Sequence, residues 1–469
     1  MTKKQAAWIA FFAITIAAIL TCLSHYNLLA LPQPVLLTVR WLATASLVWF
    51  AIRKKSLTTW ILVSMVVGAG IGHDFPQVGM NLRVLSQIFL RMIKTIIAPL
   101  IFATLVVGIA GHSDIKQVGR MGWKSLLYFE VVTTIALFIG VAAINISKAG
   151  MGIQMPAEVH EAVQTPPPQS WQDIILHIFP ENIAKSIYHG DVLPVVVFSV
   201  IFGIALGMVK EKVRRPMLGF CESLSETMFK FTNIVMYFAP VGVGAAIAYT
   251  VGHGGLSVLG NLFQLLLTLY VALIVFVLVV LLPVALIIKL PIRRFIKEIS
   301  EPVSIAFATT SSESALPKAM EAMGRMGVPR KIVAFVMPTG YSFNLDGSTL
   351  YLSLASIFVA QAAGIHMSFG QQLLMVFTLM LTSKGVAGVP RATLVIILGT
   401  VASFHLPSWP VFLILGIDEL MDMARTSVNV IGNCLATAVV GKWEGETDFS
   451  KPAADSISAE VAETMISHN

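Results

Sequence analysis

Long apolar runs, separated by short polar and basic segments, recur along the whole chain. The first two, residues 6–31 and 35–52, are joined by a proline-containing turn, and basic clusters lie at residues 3–4 and 53–55. Because basic residues favour the cytoplasmic side of a membrane, this pattern predicts a transmembrane hairpin with both ends in the cytoplasm. The first run could also be a signal peptide, but the second apolar run favours two spans.

The middle of the chain predicts further spans that alternate between the two membrane faces. They lie at residues 59–71, 84–110, 125–146, 183–208, 229–251, 256–288 and 332–363. The run at 183–208 is interrupted around Gly190 and Pro194. Residues 150–180 are rich in proline and acidic residues, which predicts an external loop.

Two segments in the last third are apolar but cannot be ordinary spans. Residues 302–326 have basic clusters on both flanks, and their centre, residues 309–314, is too polar to face lipid. A re-entrant hairpin from the cytoplasm satisfies both facts, since irregular backbone at membrane depth needs protein or water around it. Residues 371–404, with a glycine-rich centre at 383–391, predict a second hairpin that opens from outside.

The span at 332–363 is interrupted by the polar residues 344–348. Asp346 beside a glycine at mid-membrane predicts unwound backbone that can bind a cation or a substrate. Two hairpins of opposite entry, each followed by a span, form an inverted repeat of the type that secondary transporters use. We therefore expect an all-α polytopic membrane protein.

The last apolar run, residues 411–440, carries a polar stripe. At 3.6 residues per turn the spacing of its polar residues places them on one helix face. These residues are Asp418, Asp422, Arg425, Thr426, Asn429 and Asn433. Charges at bilayer depth are costly, so the stripe forms either a structural Asp–Arg pair or a polar cleft for a small charged solute. We favour the cleft.

Composition agrees with a membrane setting. The chain has 469 residues, of which 56% are hydrophobic and 12% charged, about half the charged fraction of a soluble protein. The net charge of +7 comes from short clusters between apolar runs, which indicates membrane topology and not nucleic-acid binding. The three cysteines lie far apart in apolar stretches without metal spacing, so we interpret them as membrane-core residues without disulfides. We assign no metal site and expect no cofactor apart from a coupling ion.

Four motifs resemble the glutamate/dicarboxylate–cation symporter family over residues 56–445. They are residues 311–317 (SSESALP), 344–348 (NLDGS), 385–390 (GVAGVP) and the stripe from Asp418 to Asn433. The resemblance implies eight family transmembrane helices plus the two re-entrant hairpins, in a homotrimer of the bacterial cytoplasmic (inner) membrane. The protein would then be an elevator-type carrier, not an enzyme.

The resemblance also divides the chain. Residues 1–55 would be an additional N-terminal transmembrane hairpin, and residues 56–300 mainly the scaffold and trimerisation spans. Residues 301–441 would form a mobile transport core, and residues 442–469 a cytoplasmic tail.

Family roles can be transferred to the matching positions. Arg425 would bind the side-chain carboxylate of the substrate through its planar fork, and Asp422 would bind the ammonium group. The other substrate-binding candidates, for hydrogen bonds and for the α-carboxylate at the hairpin tips, are Thr426, Asn429, Ser311, Ser312, Gly388 and Val389. The family's C4-dicarboxylate carriers lack the aspartate at position 422, so Asp422 favours glutamate or aspartate. The motif at 311–317 is nevertheless more similar to the dicarboxylate branch, which keeps a C4-dicarboxylate as the alternative.

The coupling ion is the point at which the chain departs from sodium-coupled members. Those members carry an aspartate at the position of Asn433, a methionine at Leu345 and a tyrosine at Phe129. Sodium prefers anionic and oxygen ligands, whereas buried carboxylates can carry protons. We therefore favour proton coupling and keep sodium as the alternative. The ion-coupling candidates are Glu130, Ser342, Asn344, Asp346, Ser383, Asp418 and Asn433.

Two other classes of protein could also place polar groups at membrane depth. A channel would not need two opposed gates, and coupled uptake distinguishes it from a carrier. An intramembrane hydrolase would use Ser311 or Ser312, but no histidine or lysine is placed to activate them. Arg391, where the family usually has glycine, could pair with Glu313 on the facing hairpin tip or shape the cleft for an anionic substrate.

Overall fold

The computed structural model describes residues 3–25, 29, 31–110, 117–153, 179–189, 192–383, 392–447 and 449. In these ranges the chain forms nineteen α-helices, one of which continues through a π-helical turn. No strand occurs in the described ranges. The prediction of an all-α protein is thus confirmed for the described chain.

The first four helices are α1 (Lys3–His25), α2 (Gln33–Lys54), α3 (Leu57–Asp74) and α4 (Pro76–Asn81). The first two form the predicted pair, but α1 ends at His25 and not at residue 31. The short span predicted at 59–71 is longer in the structure, where it forms α3. Arg40 of α2 pairs with Asp74 at the end of α3, with Nη2 and Oδ1 2.6 Å apart, and Trp41 Nε1 donates to Oδ2 of the same carboxylate at 3.0 Å. These bonds fasten the N-terminal pair to the rest of the chain.

The middle helices follow in the predicted order. They are α5 (Arg83–Ala110), α6 (Gln117–Ser147), α7 (Ile183–His189), α8 (Val192–Met208), α9 (Glu211–Met236), α10 (Ala239–Gly254), α11 (Ser257–Phe276) with the π-helical turn Val277–Leu281, and α12 (Leu282–Ile287). The predicted broken run at 183–208 forms α7 and α8, with Pro194 in the first turn of α8. Gly190 and most of the predicted external loop, residues 154–178, lie outside the described residues.

The predicted span at residues 229–251 is not one continuous helix. The structure bends by 50° between α9 and α10, within that range. Pro240 lies in the first turn of α10, where a proline starts a new helix readily but cannot donate the backbone hydrogen bond that would continue the preceding one. The sequence pattern predicted the apolar run but did not indicate this break.

Small residues allow α3 and α10 to pack closely. A methyl group added at Gly68 would meet the carbonyl oxygen of Gly244, and one at Gly72 would lie 2.5 Å from the carbonyl oxygen of Ala248. Membrane helices commonly associate through such small-residue faces, because lipid supplies no hydrophobic drive between them. The α3–α10 contact therefore depends on glycine.

The last third contains α13 (Ile292–Thr309), α14 (Ser312–Arg325), α15 (Arg330–Phe343), α16 (Asp346–Ala362), α17 (Phe369–Thr382), α18 (Ala392–Ser403) and α19 (Trp409–Trp443). The first predicted hairpin is a helical pair, α13 and α14, which turns at Thr310 with a left-handed backbone (φ 51°). The predicted break in the span at 332–363 is confirmed between α15 and α16. The tip of the second hairpin, residues 384–391, lies outside the described residues.

Six of the described helical segments are long and apolar enough to span a membrane, or seven if the bent pair α9–α10 counts as one span. They include α1, α2, α3, α5, α6 and the α11–α12 segment. The chain is therefore a polytopic membrane protein. Helix α19 is not among these segments, although its residues are almost all buried against the other helices.

Candidate functional site

The polar stripe of α19 faces the protein interior. All six of its residues are at most 4% exposed. Helix α19 contacts α13, α15 and α16, so the stripe lies among the hairpin arm and the two halves of the broken helix. Burial of this kind requires partners for every charge, because an unpaired charge away from water is costly.

Arg425 is the centre of the cluster. Its Nη1 lies 2.9 Å from Asp418 Oδ1, and its Nε lies 2.9 Å from Asp422 Oδ1. Thr426 donates its hydroxyl to the same oxygen of Asp422 at 2.8 Å. One guanidinium thus bridges two carboxylates one helical turn apart, as the spacing of the stripe predicts.

Tyr351 of α16 also contacts Arg425, and it was not among the predicted site residues. The guanidinium carbon lies 4.2 Å from the centre of the Tyr351 ring, a cation–π arrangement. The Tyr351 hydroxyl donates to Asp418 Oδ1 at 3.0 Å. A tyrosine in an apolar run close to Asp346 was the available signal, since a buried phenol hydroxyl needs a hydrogen-bond partner.

The start of α16 is held by Asn429. The Ser348 backbone N–H donates to Asn429 Oδ1 at 3.1 Å, and Asn429 Nδ2 donates to Ser348 Oγ at 2.9 Å. The first N–H groups of a helix have no partner within the helix, so α19 supplies one to the broken helix. Ser348 was part of a recognised motif but was not predicted to be a site residue.

Three predicted ion-coupling residues meet where the helix is broken. Asn344 Nδ2 lies 3.4 Å from both Asp346 Oδ2 and Asn433 Oδ1. Glycines make this approach possible, because a methyl group at Gly432 would collide with Asp346 Oδ2 and one at Gly340 with Asn433 Oδ1. The structure therefore brings together polar residues from α19 and from the break between α15 and α16.

The other predicted site residues belong to the two hairpins and to α6, or lie outside the described residues. Ser311 caps α14 by accepting the Ser314 N–H at 3.3 Å, and Ser312 beside it is buried. Ser383 is buried, and its hydroxyl donates to the Met380 carbonyl at 3.4 Å, within its own helical segment. Glu130 is half-buried on α6. Gly388, Val389, Arg391 and the side chain of Ser342 lie outside the described residues.

Some buried polar atoms of the cluster retain hydrogen-bonding capacity. Among the described residues, Asp422 Oδ2, Asn344 Oδ1 and Asn433 Nδ2 are buried and have no hydrogen-bond partner. Native proteins leave few such atoms unsatisfied, and each one calls for an explanation. The unpartnered oxygens of Asp422 and Asn344 are acceptors, so the cluster can receive an ammonium group, a proton or a metal cation.

Comparison with known proteins agrees with the motifs. A family model described as the sodium:dicarboxylate symporter family matches residues 57–443. The matched region begins at the start of α3, so α1 and α2 lie outside it.

Individual relatives are named either as glutamate symporters or as C4-dicarboxylate transport proteins. The chain is 42% identical to a proton/sodium-glutamate symport protein of Geobacillus stearothermophilus over 409 residues, which cover 85% of this chain and 97% of that protein. It is 43% identical to a proton/glutamate-aspartate symporter of Escherichia coli over 419 residues, covering 86% and 96%. A C4-dicarboxylate transport protein of Pseudomonas syringae is 40% identical over 404 residues, covering 85% and 88%. The chain belongs to the sodium:dicarboxylate symporter family.

Proposed function

We propose that this protein is a secondary active symporter that takes up L-glutamate and L-aspartate together with protons, or with sodium, across a bacterial cytoplasmic (inner) membrane. The observation that carries the proposal is the buried group of Asp418, Asp422 and Arg425 on α19. Relatives named as glutamate and glutamate-aspartate symporters support it.

Arg425 and Asp422 can recognise the two charge types of an acidic amino acid. The guanidinium would bind the side-chain carboxylate in the bidentate manner for which arginine is suited. Asp422 Oδ2 is buried without a partner among the described residues and would accept the substrate ammonium group. Thr426 and Asn429 would add hydrogen bonds, and the hairpin tips would hold the α-carboxylate.

The charge of the cluster favours an amino acid over a C4-dicarboxylate. Asp346, Asp418 and Asp422 are buried with Arg425, which is the one basic residue among the described members of the cluster. A dicarboxylate would bring two negative charges without a positive one, whereas an acidic amino acid brings its own ammonium. Like charges in a buried site repel strongly, so the dicarboxylate would require more coupling cations.

Coupling can follow from a competition for Arg425. In the structure the guanidinium is bound to both Asp418 and Asp422, so a substrate carboxylate must displace at least one of them. A carboxylate that loses its partner while buried is unstable as an anion and will take up a proton or bind a cation. We propose that Asp418, with Tyr351 beside it, takes this role, and that Asp346 with Asn344 and Asn433 provides the second candidate position.

The mode of movement and the assembly belong to the same proposal. Residues 301–441 would form a transport core that slides past the scaffold of residues 56–300 in a homotrimer, and residues 442–469 would face the cytoplasm. The second candidate function is C4-dicarboxylate–cation symport, which the 40% identity to a C4-dicarboxylate transport protein favours.

Uptake into proteoliposomes tests the proposal. Radiolabelled L-glutamate, L-aspartate and succinate are supplied with an inward proton gradient or an inward sodium gradient, each imposed alone. We expect amino-acid uptake driven by protons without sodium. Succinate uptake without amino-acid uptake would establish the dicarboxylate function instead, and a strict sodium requirement would overturn proton coupling.

The variant Asn433→Asp tests whether position 433 determines the coupling ion. The substitution places a carboxylate beside Asn344 and Asp346, and we expect uptake to gain a sodium dependence that the wild type lacks. Asn429→Asp adds the same charge on the same helix face but at the start of α16, and it should reduce uptake without creating a sodium dependence. An unchanged ion requirement in Asn433→Asp would contradict a coupling role for that position.

A further inference from the structure

An apolar groove lies between α19, the first arm of the first hairpin and the α11–α12 segment. It has a volume of about 230 Å³ and almost no polar lining. Its lining includes Leu281 and Ala285 of the α11–α12 segment, Ile296 and Ile299 of α13, and Leu435 of α19. The groove lies on the outside of the bundle, and Ile296 at its edge is 59% exposed.

A basic cluster borders the groove at the start of α13. Lys289, Arg293 and Lys297 are exposed, and they form no ion pair with any other described residue. The acidic residues of the same helix are engaged elsewhere, since Glu298 pairs with Arg325 at 2.6 Å and Glu301 lies 3.8 Å from Lys318 of α14. The basic side chains of Lys289, Arg293 and Lys297 are therefore available to bind an anion.

The apolar groove and part of the basic cluster lie on neighbouring faces of α13. Positions 292, 296 and 299 of α13 line the groove, and positions 293 and 297 lie about 100° around the helix from positions 292 and 296, on the face beside it. Basic residues of a membrane protein concentrate at the cytoplasmic face, so the cluster lies at the depth of lipid headgroups and the groove lies deeper. This order, charge at the surface and apolar lining below, matches the order of groups in a phospholipid.

We propose that this groove is a binding site for one anionic phospholipid of the cytoplasmic leaflet. Its headgroup phosphate contacts Lys289, Arg293 and Lys297, and one acyl chain occupies the groove against Leu281 and Leu435. Charge complementarity selects the anionic headgroup, and the nearly complete absence of polar lining selects the chain. The site is independent of the substrate that the protein carries.

The proposed lipid site lies next to α13, the first arm of the first hairpin. The acyl chain would pack between α13, which leads to the hairpin tip, and Ile431 and Leu435, which flank the last stripe residue, Asn433, on α19. A bound lipid therefore fills space beside two elements that border the candidate site, and it stabilises their packing.

Native mass spectrometry of the full-length detergent-purified protein tests the proposal. The probes are phosphatidylglycerol and phosphatidylcholine with identical acyl chains, and dihexanoyl phosphatidylglycerol as a short-chain probe. We expect the wild type to retain long-chain phosphatidylglycerol in preference to both others. Arg293→Gln with Lys297→Gln should lower this retention about twenty- to thirty-fold, since each interfacial basic residue contributes roughly fivefold.

Two controls separate the site from general attraction to lipid. Lys210→Gln with Lys212→Gln removes two exposed lysines from the same predicted face and should leave retention unchanged. Ile296→Trp narrows the groove and should bring retention of the long-chain lipid down to that of the short-chain probe. Equal retention of phosphatidylglycerol and phosphatidylcholine, equal losses in the two charge variants, or no effect of Ile296→Trp would each overturn the proposal.

A measurement on the wild type keeps the test valid if a variant fails to fold. Phosphatidylglycerol with a photoactivatable group in the middle of one chain is cross-linked to the protein, and the adducts are mapped. Adducts in residues 277–285 or 292–303 are expected. Adducts confined to other parts of the chain would overturn the proposal.

Discussion

Helices α2 and α19 are both long segments of a membrane protein, yet they are built in opposite ways. Only 17% of the most apolar stretch of α2 is buried inside the protein, and its residues Arg40 and Trp41 bond to Asp74 of α3. Helix α19 turns charged residues inward and buries them almost completely. Helix α2 exposes apolar side chains that suit a lipid environment, and the polar residues of α19 depend on ionic and hydrogen-bonding partners within the protein.

Because of this difference, substitutions on α19 should be more damaging than substitutions on α2. On α2 a lost contact can be replaced by lipid or by water at the membrane surface. On α19 a lost partner leaves a charge in a place that neither can reach.

Replacing Arg425 by alanine should have the largest effect. It leaves Asp418 and Asp422 buried without a counter-charge, which costs about 3–5 kcal/mol of stability, and it removes the carboxylate-binding group. We expect no measurable uptake and a lower unfolding temperature of the purified protein. Arg425→Lys retains the charge but not the fork, so it should recover stability without recovering uptake. Uptake above half of the wild-type rate in Arg425→Ala would contradict the proposed role.

Replacing Asp422 by asparagine should alter specificity. It removes the predicted ammonium partner, so amino-acid uptake should fall at least about thirty-fold, the lower end of the cost of breaking a buried charge pair. Competition by succinate should weaken less, because succinate has no ammonium group. Both are measured as inhibition of labelled aspartate or succinate uptake.

Asp418→Asn is the matched control for that prediction. It removes the same charge from the other partner of Arg425, and it should impair all substrates and alter the proton dependence. Equal losses of amino-acid and succinate transport in Asp422→Asn would show that Asp422 is structural and not a specificity residue.

Gly432→Ala tests the close approach inside the core. The added methyl group would collide with Asp346 Oδ2, and overpacking of this kind costs about 1–3 kcal/mol. Gly70→Ala places the same group on α3, where its nearest neighbour is a ring atom of Trp41 at 3.9 Å, and it should be tolerated. Thermal unfolding of the two variants compares them directly, and equal unfolding temperatures would contradict the difference in packing.

Arg40→Ala should have the smallest effect. Arg40 is partly exposed and Asp74 is mostly buried, so we expect a loss of about 1 kcal/mol and unchanged uptake. Trp41→Phe removes the second bond to Asp74 while keeping an aromatic ring. If the two residues share Asp74, the double variant should lose less stability than the sum of the single losses. Abolished uptake in Arg40→Ala would show that the N-terminal pair takes part in transport.

The sequence by itself determined the local features. The polar stripe on α19, the break after Phe343 and the turn between α13 and α14 all follow from the spacing of residues close in sequence. Helical periodicity and the cost of polar groups in lipid act within about one turn or one span, so a single chain segment reveals them. The family also followed from motifs that are short and local.

Only the tertiary structure decided which partners meet. Tyr351 and Asp418 are 67 positions apart, and Asn344 and Asn433 are 89 positions apart. No periodicity links such distant residues, because their contact depends on how α16 docks on α19. The 50° bend between α9 and α10 was also hidden, since an apolar run has the same composition whether it is straight or bent. Glycines at 340 and 432 gain their importance only when a second helix approaches them. Local spacing therefore indicated which polar residues form the site, whereas their geometry depends on the packing of distant segments.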